Sequence, residues 1–269
     1  MEELSKQRFD SLVKGYLENE CESEVFEVTA LTDYSINGAS KAGKEEFYSR
    51  YVICTHLLKQ GQAVQEKFRA FCHVFDTSKI YKFEDVTPYT LLVKKVKGKD
   101  LYYLVDVIGK YAGNEFDAII EEKTRKITMQ VDGVTFEFNN LFREFAGKVN
   151  LEGKTIKLAL IPERDSMDVT QSLETYEAIK KDFKEFYTKV LANCAKQLIR
   201  TAISWQEDED EIELTEQEFI RRIDKNNFDL SITGKDFTMY FDDDDIFWGH
   251  TIVYNGNIES DKYNADIGG

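Results

Sequence analysis

The sequence predicts an α+β protein in which antiparallel sheet packs against one long helix of about residues 170–205. Three observations carry that prediction. A broad apolar stripe of helical period runs from Leu173 to Trp205. Runs of β-rich residues joined by turn dipeptides fill residues 89–161 and return after Phe228. Hydrophobic residues make up 42% of the chain, with 19 Phe and 14 Tyr, enough for a sizeable core.

Taken in order, Leu4, Phe9, Leu12, Val13 and Tyr16 recur at helical spacing and predict an amphipathic helix over 3–19. Residues 24–28 alternate as a strand, and SINGASKAG after Tyr34 reads as a loop. Between Glu45 and Phe75 apolar residues recur every three or four positions, which predicts a helical pair broken at Gly61. His56 and His73 fall in this region without a second histidine or a carboxylate four residues on, so packing explains them better than ligation. TPYTLLVKKV and LYYLVDVIG form a hairpin across Lys97–Asp100, and KITMQV and VTFEFN form another around Asp132-Gly133. LFREFAGKV and TIKLALI follow as strands around Glu152-Gly153.

The stretch from Gly147 to Thr155 imitates a phosphate-binding loop. Five residues separate its glycines where the motif needs four, and its Gly-Lys-Thr opens a strand where the motif opens a helix. After the long helix comes EDEDEIE, read as a solvated loop. Thr215 and Glu218 then form a capping box that starts a short helix through Ile223. The chain ends in strands: FDLSIT, DFTMYF and HTIVYN.

Charge and cysteine usage narrow the function classes. A formal net charge of −15 with no basic stripe opposes binding to a phosphate backbone, and so excludes nucleic acid as the expected partner. It suits a basic protein partner. Cys21, Cys54, Cys72 and Cys194 make no C-x-x-C pair, and Cys54, Cys72 and Cys194, within apolar helical patterns, read as buried thiols. The charged N-terminus and the lack of a long apolar run predict a cytoplasmic protein with no membrane partner.

One stretch combines unusual residues densely: Asp242 to Asp245, then Ile246-Phe247-Trp248-Gly249-His250. Together with ITMQVDGVTFEFNNLFREFAGKVNLEGKTIKLALI and the closing ADIGG, it resembles the bacterial domain of unknown function 2262 family over residues 125–269. The resemblance implies a C-terminal domain over those residues, with a separate mixed helix/strand module over 1–124, and carries no catalytic assignment.

Read physically, Asp242, Asp244 and His250 are candidate metal ligands. Alternate residues of a strand share a face, and carboxylates with an imidazole suit a divalent metal. Asp261 and Asp266 can add to the set if the last segment folds back, while Asp243 and Asp245 point away. Against this, neither a calcium-loop nor an H-x-x-H spacing is present. The alternative is an acidic turn whose Phe247 and Trp248 anchor the sheet or meet a partner.

Three functions follow. The first is a protein-binding module, immunity-like or regulatory, using Asp242, Asp244, Phe247, Trp248 and His250. The second is a metal-dependent hydrolase at the same hairpin, and the third a structural subunit of an assembly. A divalent metal is the one cofactor candidate.

Overall fold

Alternation in the N-terminal half is realised as a barrel, and in the C-terminal half as a wide sheet. The computed structural model describes residues 2–35, 38–41, 47–75, 81–164, 166–206 and 214–269. The chain divides into two compact units, Met1–Arg125 and Lys126–Gly269.

The first unit comprises α1 (Glu2–Asn19), β1 (Phe26–Thr32), β2 (Tyr48–Lys59), β3 (Gln62–Val74), β4 (Pro88–Lys95), β5 (Tyr102–Lys110) and α2 (Asp117–Thr124). Its strands close in the order β1-β2-β3-β5-β4, with β3 and β5 parallel and every other neighbour antiparallel. That connectivity is shared with five-stranded Greek-key barrels of the oligonucleotide/oligosaccharide-binding type, a likeness of architecture that assigns no ligand.

The expected helical pair over 45–75 is instead the β2–β3 hairpin, turned at Gln60 and Gly61, both with positive φ. The physical reason is visible in the burial. Val52 and Cys54 face the core while Tyr51 and Ile53 stay exposed, a period of two that the crowded apolar run concealed. His56 and His73 therefore stand on strands, and so do Cys54 and Cys72. All four cysteines are buried and free. Burial pushes the thiols up, to about 12 for Cys54 and Cys194 and about 11 for Cys72, which leaves them inert.

The second unit begins with β6 (Thr128–Val131), β7 (Val134–Asn139), β8 (Glu144–Leu151) and β9 (Lys154–Ile161). Three helices follow: α3 (Thr170–Lys181), α4 (Phe183–Trp205) and α5 (Glu216–Ile223). A second four-strand run, β10 (Phe228–Thr233), β11 (Asp236–Asp242), β12 (Thr251–Asn257) and β13 (Ser260–Gly268), completes one eight-stranded sheet in the order β13-β12-β11-β10-β9-β8-β7-β6. Only β9 and β10 pair in parallel. Parallel neighbours need a long crossover, and the three helices supply it.

One sheet face, with Leu158, Leu160, Leu230, Met239 and Phe241, shares a core with Tyr176, Tyr187 and Leu198 of the helices. Residues alternating with these, such as Asp229, Tyr240 and Asn255, are exposed, as expected of an antiparallel sheet with one solvated face.

Several expectations are refined. The single helix over 170–205 is two helices, parted at Asp182, whose φ of −122° and ψ of 38° leave the helical region. The strand expected from Leu141 begins at Glu144, after a turn, and the strand expected over 24–28 runs from Phe26 to Thr32. α2 and β13 were not legible. Thr215 caps α5 as expected, accepting from the Glu218 amide at 3.2 Å. The Gly-Lys-Thr at 153–155 does open β9. Of SINGASKAG, residues 36, 37, 42 and 43 lie outside the described residues, and so does the whole of EDEDEIE. Among the described residues, no helix is long and apolar enough to cross a membrane.

Candidate functional site

Asp242 ends β11 and Thr251 starts β12, so Asp243, Asp244 and Asp245 belong to an eight-residue connection and not to an extended strand. Aspartate tolerates the left-handed backbone region, and Asp244 and Asp245 both occupy it, with φ of 46° and 66°. The connection continues through Ile246 and Phe247, which turn inward and are buried, to Trp248 and Gly249, again at positive φ of 57° and 83°.

Asp243 holds this path in place. Its side chain is buried, with 2% of the residue exposed, and its carboxylate accepts three backbone amides of its own loop. Oδ1 takes the Asp245 amide at 3.2 Å, while Oδ2 takes those of Phe247 at 2.6 Å and Gly249 at 3.2 Å. A carboxylate satisfied by several amides is a strong local staple. Asp242 adds a second tie, accepting the Asp244 amide and the Asn226 side chain, both at 2.9 Å. His250 donates its Nδ1 proton to the Phe247 carbonyl at 2.6 Å, since a carbonyl can only accept.

Asp244 faces the segment that leads from α5 into β10. The Lys225 ammonium stands 2.9 Å from Oδ1 and Arg222 Nε 3.4 Å from Oδ2; Arg222 also donates to the Asp244 carbonyl. These cations, Lys225 first, hold the Asp244 carboxyl below the usual carboxylate range.

On the other side of the loop the indole of Trp248 is 64% exposed. It lies against Trp205, the last residue of α4, with ring centroids 5.0 Å apart. Trp205 also meets Phe247 and His250 edge-on, at 5.6 and 5.4 Å. Phe219 of α5 reaches Phe247 from below, at 6.2 Å. The aromatic cluster thus fixes one exposed ring on a base of packed ones.

The residues expected as metal ligands are near in sequence and differently employed. Asp242 is tied to Asn226 and Asp244 to two cations, while the His250 ring is turned to a carbonyl. Asp266, on β13, is exposed, and the side chain of Asp261 lies outside the described residues. Among the described residues no group of three or more His, Cys, Asp or Glu side chains is placed to hold a metal ion. The expectation of an extended strand through the aspartates is corrected: the chain leaves the strand at Asp242, the alternation of faces ends there, and Asp243 becomes the buried centre of the loop.

Sequence reasoning missed Trp205, Arg222, Lys225 and Asn226 as members of this site. A signal existed for the cations, since Arg221-Arg222 and Lys225 follow the capping box in an otherwise acidic stretch.

Neither the curated proteins nor the solved structures hold a match to the chain. Residues 134–267 match the model of a family described as an uncharacterized protein conserved in bacteria (DUF2262). The match starts at β7 and ends within β13, and so takes in every strand of the second unit's sheet except β6, the helical crossover and the whole aspartate–tryptophan connection. Over these residues the C-terminal unit is similar to the DUF2262 family.

Proposed function

We propose that the C-terminal unit is a protein-recognition module whose anchor is Trp248. The observation that carries this reading is an indole left 64% exposed on a loop that is otherwise tied down. A bulky residue at positive φ is strained, and such strain persists only where the surroundings impose it. Here the Asp243 staple and the Trp205 base impose it. A rigid exposed aromatic loses little entropy when a partner covers it, which is why tryptophan is enriched among binding hot spots.

The charge of the unit favours a basic partner, with 29 acidic against 17 basic residues over 126–269. Immunity-like or regulatory binding belongs to this class. The hydrolase reading is disfavoured because a metal at Asp244 would have to displace Lys225 and Arg222. Nothing in the geometry favours a purely structural role.

The test compares full-length baits, native and Trp248→Ala, in a bacterial lysate at low and at high salt. A basic protein retained by the native bait, lost at high salt and depleted at least tenfold with Trp248→Ala is the expected outcome. Baits that melt alike yet retain identical proteins overturn the reading.

A further inference from the structure

In the first unit the barrel is split on one side. β3 and β5 pair only at Ala70 with Tyr102 and Phe71 with Tyr103. Immediately beyond, the His73 amide donates to the Tyr103 hydroxyl at 3.3 Å, a side chain standing where a strand partner would be. His73 Nδ1 lies 3.3 Å from the same oxygen. Through the split, the core residues Cys72, Val74 and Leu104 line a cleft whose other wall is the Phe9, Val13 and Leu17 stripe of α1. Its volume is about 850 Å³, within the range of sites that enclose a drug-sized molecule.

The described residues leave this space open. Phe9, Val13 and Leu17 face the barrel yet remain half-buried, and none of the described α1 side chains is fully buried. A helix laid on a barrel ordinarily buries such a stripe. Among the described residues, the charges lining the cleft are Lys6 and Asp10, of opposite sign and four residues apart on the helix, so together they give it no net charge. Burial pushes the Tyr103 hydroxyl up to about 12, which keeps it a neutral hydrogen-bonding group.

We propose that this cleft binds an uncharged, largely apolar small molecule with one hydroxyl or carbonyl group, its body against Val74 and Leu104 and its polar end at His73 and Tyr103. Apolar walls with few convergent polar groups are the general form of such sites. The proposal concerns the first unit alone and is independent of the recognition role of the second.

Calorimetric titration of the full chain with 1-naphthol tests it, with 1-naphthoate as the charged counterpart of the same shape. One-site, saturable binding of 1-naphthol is expected, with 1-naphthoate at least tenfold weaker. Val105→Glu sets a carboxylate at a half-exposed position of the rim, and Val13→Trp fills the space from the helix. Each is expected to weaken 1-naphthol at least tenfold, with the melting temperature of Val105→Glu unchanged. Absence of saturable binding, or affinity unchanged in both variants, overturns the site. Equal affinity for the two compounds overturns the neutral ligand.

Discussion

Asp243 shows how a residue can be unremarkable in a run and decisive in a fold. Its carboxylate satisfies three amides in a buried setting, and removing it orphans all three. Asp243→Ala is expected to destabilise the second unit by about 2–4 kcal/mol in urea unfolding, and Asp243→Asn by less, because one acceptor oxygen remains. At Trp248 the backbone gives an opposite expectation. Glycine accepts a φ of 57° without strain, whereas alanine keeps the strain and loses the indole. Trp248→Gly should therefore be more stable than Trp248→Ala by about 1 kcal/mol, while both lose the partner. A reversed order of the two melting temperatures would remove strain from the account of this loop.

The elements reveal which parts of the sequence spoke clearly. Asp132-Gly133 and Glu152-Gly153 marked their hairpins through their glycines, which accept positive φ there without strain. The capping box at Thr215 spoke equally plainly. The run over 45–75 did not, since its apolar residues satisfy both a helical spacing and an alternating one, and only the barrel's inside and outside decide between them. The candidate site was legible as a location and not as an arrangement: the cations that neutralise Asp244 lie some twenty residues away, where no local pattern joins them to it.

Gly147, the start of the false phosphate loop, has its role at this scale. A Cβ placed on it would stand 2.5 Å from the ring of Phe136, a fully buried residue of β7. Gly147→Ala should cost about 1–3 kcal/mol by overpacking, read from the same unfolding curve. α3 is tied to the β6–β7 turn by Asp132, which accepts from Tyr176 at 2.6 Å and pairs with Lys180. These partners, Lys180 first, lower the Asp132 carboxyl from its ordinary 3.8. A lowered folded value means that the contribution to stability is complete above that ordinary value and is lost as pH falls through the folded one. The stability difference between the native chain and Lys180→Met should accordingly be largest near neutrality and vanish in strong acid. A difference independent of pH would show that the ion pair contributes nothing.

For the molecule as a whole, charge is distributed unevenly. Residues 1–125 hold 18 basic and 21 acidic side chains, whereas 126–269 hold 17 and 29, so most of the negative charge sits with the second unit. The two units have separate cores, one centred on the barrel and one between the sheet and its helices. We propose that each folds on its own. Residues 126–269, produced alone, should melt in one cooperative transition and retain the Trp248-dependent partner. A fragment without a cooperative transition would refute independent folding. Arg125 and Lys126, both exposed at the junction, give trypsin a way to make the same division in the full chain.

The pairing of Trp205 with Trp248 has a practical consequence. They are the only two tryptophans in the chain, and they touch. Intrinsic emission excited at the red edge of protein absorption therefore arises at this one spot, from one exposed indole and one partly sheltered. The native chain carries its own reporter, and a partner that settles on the loop should shift that emission to the blue without any label being introduced.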